Sequence, residues 1–173
     1  KDLSKKMAED IEEMERMLND YLEFTSHQRN EITKNVNLNN LVNDIIKKYE
    51  GKNIKKEFDK EIEINIRSNA IKRCLTNLID NGLSYGKNVK IILKKTINNV
   101  LILVDDDGPG IDESEYQNVM KPFYRIDKSR SQNKSGVGLG LSIANDIIRS
   151  HGGNISLDKS PLGGLRATIS LPV

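Results

Sequence analysis

The chain has 173 residues, of which 36% are hydrophobic and 30% are charged, and its formal net charge at pH 7 is +2. That length fits one ordinary domain with an appendage, and the charge is too small to indicate nucleic acid or an anionic membrane as a partner. No apolar run approaches the roughly 18 residues that a membrane-spanning helix needs, and no secretion leader is visible, so no membrane segment is predicted. The single cysteine, Cys74, excludes an internal disulfide and a cysteine-rich zinc site.

The first thirty residues are predicted to form a long amphipathic helix. Apolar residues recur at alternating steps of four and three, which is the spacing of a coiled-coil or bundle seam: Met7, Ile11, Met14, Leu18 and Tyr21. A single helix cannot bury such a stripe by itself, so we expect partner helices from a second copy or from sequence outside this chain. Folding back onto its own domain is the alternative.

Beyond a linker predicted at residues 29–38, the pattern changes to mixed helices and strands. Helices are predicted from a cap at Asn39 or Asn40 through Tyr49, from a cap at Ser68 or Asn69 to about Ser84, and from about Leu139 to Ser150. Strands are predicted at residues 54–59, 62–66, 89–96, 100–105, 154–159 and 165–171, with a hairpin turn at Asn98–Asn99. Because the strands come as hairpins and do not alternate strictly with helices, the expected class is α+β, a two-layer sandwich of one mixed sheet with helices on one face, preceded by the long amphipathic helix.

Two asparagines are candidates for holding a metal–phosphate group. Asn77 and Asn81 are four residues apart, so they share one face of the predicted helix. That face lies beside an apolar stripe formed by Ile71, Cys74, Leu75, Leu78 and Gly82. A side-chain carbonyl oxygen is a suitable ligand for Mg²⁺, which usually bridges to substrate phosphates. An ordinary solvated pair is the alternative.

An Asp-x-Gly-x-Gly pattern directly follows an apolar strand, at Asp106, Gly108 and Gly110. A carboxylate at a strand end can accept a hydrogen bond from an exocyclic amine such as that of adenine, and Ile111 can pack against the ring. Because residues 105–107 are three consecutive aspartates, a cation-binding acidic turn or a plain loop is the alternative. The following spacing lacks the alternating ligands and terminal Glu of an EF-hand, which excludes that motif.

A second glycine cluster, Gly136, Gly138 and Gly140, ends where the last helix is predicted to start. The unpaired N–H groups and the dipole of a helix N-terminus favour phosphate. The basic, aperiodic segment at 125–135 is predicted to be a mobile flap that closes over the phosphates, with a disordered loop as the alternative. The three motifs in this order indicate one divided ATP site, whereas His27 and His151 are assigned structural or surface roles.

Together the motifs resemble the ATP-binding catalytic domain of a bacterial sensor histidine kinase, within the GHKL superfamily. The resemblance covers residues 36–173 and comprises an N box at 77–85, a glycine box at 106–111, an F box at Pro122–Phe123–Tyr124–Arg125 and a second glycine box at 136–141. Residues 1–28 resemble the second helix of the family's dimerisation and phosphotransfer hairpin. We therefore expect two domains, at residues 1–30 and 36–173.

The resemblance implies a protein-histidine kinase that uses ATP and Mg²⁺. It implies that Asn81 is the main Mg²⁺ ligand with Asn77 in support, that Asp106 contacts the adenine amine, and that Tyr85 and Ile111 flank the ring. Residues 124–138 would form the ATP lid, and Gly138, Leu139 and Gly140 would present N–H groups to the phosphates. The implied ATP-binding set is Asn77, Asn81, Tyr85, Asp106, Gly108, Gly110, Ile111, Phe123, Tyr124, Arg125, Lys128, Arg130, Gly136, Gly138, Leu139, Gly140 and Leu141.

The chain departs from the family's pattern in three places. Ser84 stands where Lys or Arg is common, so one phosphate contact is lost or moved to Lys128 or Arg130. Leu165 stands where many relatives carry Thr, which puts a water-mediated base contact in doubt. The phosphoacceptor pattern, a His followed by an acid with Pro a turn later, does not occur in the chain. The resemblance therefore implies that the γ-phosphate goes to a histidine on a helix that this chain does not contain.

The implied partners are a second copy in the parent protein, through a helical bundle, and the receiver domain of a response regulator; no nucleic acid is expected. The implied location is a cytoplasmic domain of an inner-membrane sensor. One alternative is an ATP hydrolase of the same superfamily, which is disfavoured because its general-base Glu would occupy the position of Asn77. The other is a nucleotide-responsive dimerisation module without catalysis, which would act through residues 1–28.

Overall fold

The computed structural model describes residues 31–126 and 138–173, together with separate positions between residues 4 and 22. The chain divides into two compact units, Lys1–Ile32 and Thr33–Val173. At the described positions before residue 23 the backbone is α-helical. There the side chains of the predicted apolar stripe are each more than half exposed: Met7, Ile11, Met14 and Leu18. Tyr21 lies outside the described residues. Within the described part of the chain, no helix is both long and apolar enough to cross a membrane.

The second unit contains the helices and strands that position the site. In chain order the described elements are β1 (Lys34–Asn37), α1 (Leu38–Ile46), β2 (Asn53–Phe58), β3 (Glu63–Ile66), α2 (Ser68–Tyr85), β4 (Asn88–Lys95), β5 (Asn99–Asp106), α3 (Gly140–Arg149), β6 (Asn154–Lys159) and β7 (Leu165–Pro172). Short 3₁₀ turns lie at Lys47–Tyr49 and Glu113–Glu115.

Five of these strands form one mixed sheet in the order β2-β4-β5-β7-β6. β2 and β4 are parallel, whereas the other neighbours are antiparallel. α2 contacts β4 and β5, and α3 contacts β6 and β7. Alternate residues of the two central strands are buried on the helical side: Val89, Ile91 and Leu93 on β4, and Val100, Ile102 and Val104 on β5. This arrangement confirms the predicted α+β class.

The apolar stripe predicted for α2 is buried along its whole length, at Ile71, Cys74, Leu75, Leu78 and Gly82. Burying one Leu or Ile side chain stabilises a fold by about 1.5–3 kcal/mol, so this stripe outweighs any single polar contact in holding α2 on the sheet. The thiol of Cys74 lies 3.8 Å from the carbonyl oxygen of Ala144 on α3. Burial raises the pKa of this thiol, which favours its neutral, unreactive form.

The predicted linker at 29–38 is wrong at its C-terminal half, because residues 34–37 form β1. β1 pairs antiparallel with β3 in a separate two-stranded sheet, from Lys34 opposite Ile66 to Asn37 opposite Glu63. The sandwich therefore contains a second, small sheet that the prediction of a single sheet omitted.

Capping positions also differ from prediction. α1 is capped by Asn37, whose side chain accepts from the N–H of Asn40 at 3.0 Å, and not by Asn39 or Asn40. An N-cap residue needs an extended backbone, which Asn37 has at the end of β1 (φ −73°, ψ 107°). The amide of Asn39 bonds instead to Ile62 N and Lys60 O, both at 3.0 Å.

The remaining boundaries shift by a few residues. α1 gives way to the 3₁₀ turn before Tyr49, and the cap position of α2 is Arg67 rather than Ser68 or Asn69. The β4–β5 turn consists of Ile97 and Asn98, because Thr96 N donates to Asn99 O at 2.8 Å. The hydroxyl of Thr96 accepts from Asn99 N at 3.0 Å and donates to its carbonyl at 2.9 Å. This local bonding moves the turn one residue before the predicted Asn98–Asn99.

Candidate nucleotide-binding site

The two asparagines of α2 lie against the first residue of α3. The side-chain amide of Asn77 donates to the carbonyl oxygen of Gly140 at 3.3 Å. A Cβ atom added at Gly140 would lie 3.5 Å from Nδ2 and 3.7 Å from Oδ1 of Asn81. The structure thus brings residues of two predicted motifs together, although 59 positions of sequence separate Asn81 from Gly140 (140 − 81).

The start of α3 offers backbone donors at this point. Gly138 has a left-handed backbone (φ 75°), and Leu139 caps the helix that begins at Gly140. The first N–H groups of a helix have no partner within it, so together with the dipole they favour an anion. The buried hydroxyl of Ser142 donates to Leu139 O at 2.9 Å and holds this turn, a role the sequence reasoning missed. Leu141, also predicted, is half-buried in the same turn.

Asp106 ends β5 beside α2, because a Cβ atom added at Gly82 would lie 3.3 Å from the Cβ of Asp106. Its Oδ1 accepts from the N–H of Gly108 at 2.8 Å and from that of Leu165 at 3.1 Å. Among the described residues, no N–H or O–H group donates to Oδ2. Burial raises the pKa of Asp106 despite the two backbone donors. One carboxylate oxygen is therefore held by the protein while the other can accept from a ligand.

The three consecutive aspartates point to different partners. Asp105 forms a bidentate pair with Arg166, with Nε–Oδ1 at 2.6 Å and Nη2–Oδ2 at 2.7 Å. Asp107 accepts from Lys87 N at 2.7 Å and from Asn88 N at 2.8 Å, and the bonds from Asn88 above all lower its pKa to about 2. The described residues contain no group of three His, Cys, Asp or Glu side chains that could hold a metal. The alternative of a shared cation-binding turn therefore has no support there.

Of the other residues predicted to surround a base, Gly108 and Tyr85 lie close to Asp106. A Cβ atom added at Gly108 would lie 3.0 Å from Asp106 Oδ1 and 3.2 Å from the Cβ of Tyr85. Tyr85 is 61% exposed at the end of α2, and Ile111 is half-buried. Gly110 has φ 72°, a conformation that glycine adopts readily, and it approaches the carbonyl of Gly164. Tyr85 and Asp106 thus both adjoin Gly108.

A backbone hydrogen bond joins the F box to the second glycine box. Phe123 N donates to Gly138 O at 3.0 Å, and the Phe123 ring is 62% exposed. Tyr124 donates its hydroxyl to Glu115 Oε2 at 2.6 Å, and this bond raises the pKa of Tyr124. Arg125 is half-buried. Lys128, Arg130 and Gly136 lie outside the described residues, as does most of the predicted lid at 124–138.

His151 has structural contacts on both ring nitrogens. Nε2 accepts from the N–H of Arg67 at 3.2 Å, and Nδ1 lies 2.7 Å from the carbonyl oxygen of Ile147. The Arg67 guanidinium also donates to the hydroxyl of Ser150. These bonds connect the end of α3 to the start of α2, which agrees with the structural role predicted for His151. His27 lies outside the described residues.

Besides Ser142, sequence reasoning missed four groups at the site: the N–H of Leu165 on Asp106, the Arg166 partner of Asp105, the bonds from Lys87 and Asn88 to Asp107, and the Glu115 acceptor of Tyr124. The sequence did contain a signal for the Asp105–Arg166 ion pair, because each of these charged residues lies in a largely apolar strand. The Leu165 bond carried no signal, since a backbone donor is independent of the side chain above it. Leu165 therefore contributes a backbone hydrogen bond to the Asp106 carboxylate, whatever its side chain.

Comparison with known families explains this combination of features. The family model described as histidine kinase-, DNA gyrase B- and HSP90-like ATPase matches residues 66–173. The chain belongs to this family. The prediction made from the motifs, an ATP-binding catalytic domain of the sensor histidine kinase type, is thereby confirmed.

Individual relatives are sensor kinases. Sensor histidine kinase GtrS of Pseudomonas aeruginosa is 33% identical over 98% of this chain and 36% of its own length. The catalytic domain of histidine kinase ThkA superposes with a TM-score of 0.70 at 27% identity, covering 81% of this chain and 97% of that one. The histidine kinase domain of the Escherichia coli osmosensor EnvZ gives a TM-score of 0.62 at 30% identity, covering 83% and 89%. The chain spans only 23% to 36% of the full-length curated relatives CpxA and GtrS.

Proposed function

We propose that this chain binds Mg·ATP and positions its γ-phosphate for transfer to a histidine on a dimerisation helix, as the catalytic domain of a two-component sensor. The observation that carries the proposal is the contact of Asn77 and Asn81 with the first turn of α3. Asp106 adjoins the same helix, α2, at Gly82. A phosphate-type site and a base-type site thus adjoin the same helix.

The nucleotide roles follow from the donors and acceptors available. Oδ2 of Asp106 accepts from the adenine amine, and Tyr85 and Ile111 flank the ring. The N–H groups of Gly138, Leu139 and Gly140 face the phosphates, because helix N-termini favour anions. The family resemblance also assigns to ATP binding the basic residues Arg125, Lys128 and Arg130, together with Gly108, Gly110, Phe123, Tyr124, Gly136 and Leu141.

Asn81, with Asn77 in support, would hold the magnesium ion. The donor set fits, since Mg²⁺ prefers oxygen and usually takes one or two protein ligands while keeping waters and substrate phosphates. Gly140 also leaves the space beside Asn81 free of a side chain. Bound there, magnesium would neutralise charge on the phosphate oxygens.

Phosphoryl transfer then needs orientation more than protein acid–base chemistry. The acceptor imidazole nitrogen forms a bond to the γ-phosphorus while the bond from that phosphorus to the β–γ bridging oxygen breaks, and ADP leaves. Asn77 favours this reaction over hydrolysis, because it stands where hydrolases of the superfamily place a Glu and an amide cannot take a proton from water. Its amide is also engaged with Gly140 O.

The same proposal includes partners. The exposed apolar side chains at Met7, Ile11, Met14, Leu18 and Leu22 favour packing against further helices, so the parent protein forms a homodimer through a helical bundle. The receiver domain of a response regulator takes the phosphoryl group from the histidine. The parent is a membrane sensor with this domain on the cytoplasmic side.

Nucleotide binding is tested by thermal and urea unfolding with ATP, with and without Mg²⁺. Ligand at 100 times Kd should add about 2.7 kcal/mol to the free energy of unfolding. Asn81→Ala should lose the Mg²⁺-dependent part of this stabilisation, whereas Asn98→Ala in the β4–β5 turn serves as a control and should keep it. Full Mg²⁺-dependent stabilisation of Asn81→Ala would contradict the metal assignment.

Transfer is tested with radiolabelled ATP and the hairpin helices of the parent supplied separately. The expected product is acid-labile, base-stable label on the hairpin and none on this chain. Tight ATP binding without transfer would favour the nucleotide-responsive dimerisation module, and phosphate release at a matching rate would favour the ATP hydrolase.

A further inference from the structure

The outer face of the sheet carries an ion pair directly behind the base-reading carboxylate. Asp105 is 1% exposed and Arg166 is 25% exposed, and two short bonds join them. Bidentate arginine–carboxylate pairs fix geometry as well as charge. Breaking a buried pair by removing one partner is costly, because it leaves an uncompensated charge.

The register places this pair one residue from Asp106. Asp105 and Arg166 are opposite each other on β5 and β7, and theirs is the last rung of that ladder. Successive side chains in a strand point to opposite faces, so Asp106 points to the helical side, where it meets Gly82. The pair is therefore separated by the sheet from the site in which Asp106 reads a base.

The start of β7 controls the position of the Asp106 carboxylate. Leu165, the residue before Arg166, donates its N–H to Oδ1 at 3.1 Å, and Gly164 N donates to Asp106 O at 3.1 Å. A Cβ atom added at Gly164 would lie only 2.0 Å from Oδ1. Backbone of β7 thus contacts the carboxylate closely, and the hydrogen bond from Leu165 is lost if this strand end moves by about 1 Å.

From these contacts we infer that Asp105 and Arg166 are positioning residues for adenine recognition: their ion pair anchors the last rung of β5–β7, so that Leu165 N–H holds Oδ1 of Asp106 and leaves Oδ2 directed at the exocyclic amine. The inference rests on the proposed nucleotide function. It assigns base selectivity in part to two residues on the face of the sheet that lies away from the nucleotide.

A neighbouring pair provides a matched control. Lys90 lies opposite Asp105 on the other side of β5, but its Nζ bonds to Glu57 on β2 at 2.6 Å. This pair lies on the same outer face and is more exposed, 31% and 51%. It is joined to neither Asp106 nor Leu165, so its removal changes surface charge without releasing the β7 end.

The test compares the Kd of Mg·ATP with that of Mg·ITP, which carries an oxygen in place of the amine. A hydrogen bond to a charged group corresponds to roughly a 10-fold preference or more, so the wild-type chain should prefer ATP by at least about 10-fold. Arg166→Gln should reduce this ratio to below about 3 by weakening ATP binding while leaving ITP binding nearly unchanged. Arg166→Lys should recover part of the ratio, and Lys90→Gln should retain all of it. If the ion pair had a purely structural role, Arg166→Gln would weaken the binding of ATP and ITP equally.

If Arg166→Gln does not fold, the double variant Asp105→Asn/Arg166→Gln replaces it, because that variant leaves no buried charge unpaired. A wild-type ATP/ITP ratio in whichever folded variant is measured overturns the inference. A wild-type chain that binds neither nucleotide overturns the proposed function itself. Nucleotide binding without an ATP preference leaves the nucleotide function standing but overturns base reading by Asp106, and the positioning role with it.

Discussion

Tyr49 and Asp80 are joined by a hydrogen bond of 2.7 Å between the phenol and Oδ1 of the carboxylate. Tyr49 ends the 3₁₀ turn after α1, and Asp80 precedes the proposed magnesium ligand Asn81 on α2. Partial burial, together with the bond to Asp80, raises the pKa of Tyr49 above its ordinary value. The bond therefore connects the N-terminal part of the domain to the helix that carries both site asparagines.

Tyr49→Phe should lower the free energy of unfolding by about 1 kcal/mol, as expected for a partly exposed hydrogen bond to a charged group. Because the folded state raises this pKa, the contribution is complete below pH 10 and is lost as pH rises above that. Urea unfolding between pH 7 and pH 10.5 measures both effects.

Tyr116→Phe is the matched control for Tyr49. The Tyr116 hydroxyl is buried without a hydrogen-bond partner in the part of the chain that the structure describes. Its removal should be neutral or stabilising, since an unsatisfied buried group costs about 1–3 kcal/mol. Equal destabilisation of both variants would contradict the role given to the Tyr49–Asp80 bond.

Asp107 should contribute to stability in a pH-dependent way. Its folded pKa of about 2 lies below the ordinary value of 3.8, so its contribution is present above pH 4 and is lost as pH falls towards 2. Asp107→Ala should lower the Tm at pH 6, and the difference from wild type should shrink steadily in acid. A difference that stays constant down to pH 2 would show that the bonds from Lys87 and Asn88 do not hold the loop.

Asp106 should show the opposite sign. Burial raises its pKa, so the fold without nucleotide favours the protonated carboxyl. The stability gained from protonation is complete below the ordinary pKa and is lost as pH rises through the folded pKa. Asp106→Asn should therefore be more stable at pH 7 yet bind ATP at least about 10-fold more weakly. The ATP/ITP affinity ratio of the wild type should fall in acid, because a protonated carboxyl no longer accepts as a carboxylate does, and the ratio of the variant should be independent of pH.

Alanine substitutions at two glycines distinguish a role in packing from a role in ligand binding. Gly164→Ala would place a Cβ atom 2.0 Å from Asp106 Oδ1 and 2.5 Å from Gly108 N, so it should destabilise the fold by about 1–3 kcal/mol and weaken ATP binding.

Gly140→Ala meets only ordinary contacts, from 3.5 Å outward, and should fold as stably as the wild type. It should still weaken Mg·ATP binding, because the added methyl group occupies the space beside Asn81. Calorimetric Kd values and Tm for both variants decide this, and unchanged affinity in Gly140→Ala would place the phosphates elsewhere.

Regular patterns made much of the fold predictable. The 3.6-residue period of α2 identified its buried stripe from Ile71 to Gly82, and the apolar runs of β4 and β5 located these two strands. Among the motif residues, Asn77 and Asn81 lie against Gly140, and Asp106 adjoins the same helix at Gly82.

What could not be predicted depends on partners distant in sequence. β1 is a short, polar segment, and it is a strand only because residues 63–66 pair with it. Asn37 caps α1 because β1 ends there in an extended backbone, whereas composition alone made Asn39 and Asn40 equally good candidates. The pairing of Asp105 with Arg166 requires the β5–β7 register, which is set across 61 residues of chain.

The hydrogen bonds of His151 occupy both nitrogens of its imidazole ring. An imidazole attacks phosphorus through a nitrogen lone pair, and a ring that donates from Nδ1 to Ile147 O keeps its lone pair on Nε2, where the Arg67 N–H already occupies it. The histidine in the nucleotide-binding domain thus has no nucleophilic nitrogen to offer. In the proposed transfer reaction, the phosphoryl group is then left for an imidazole from outside the domain.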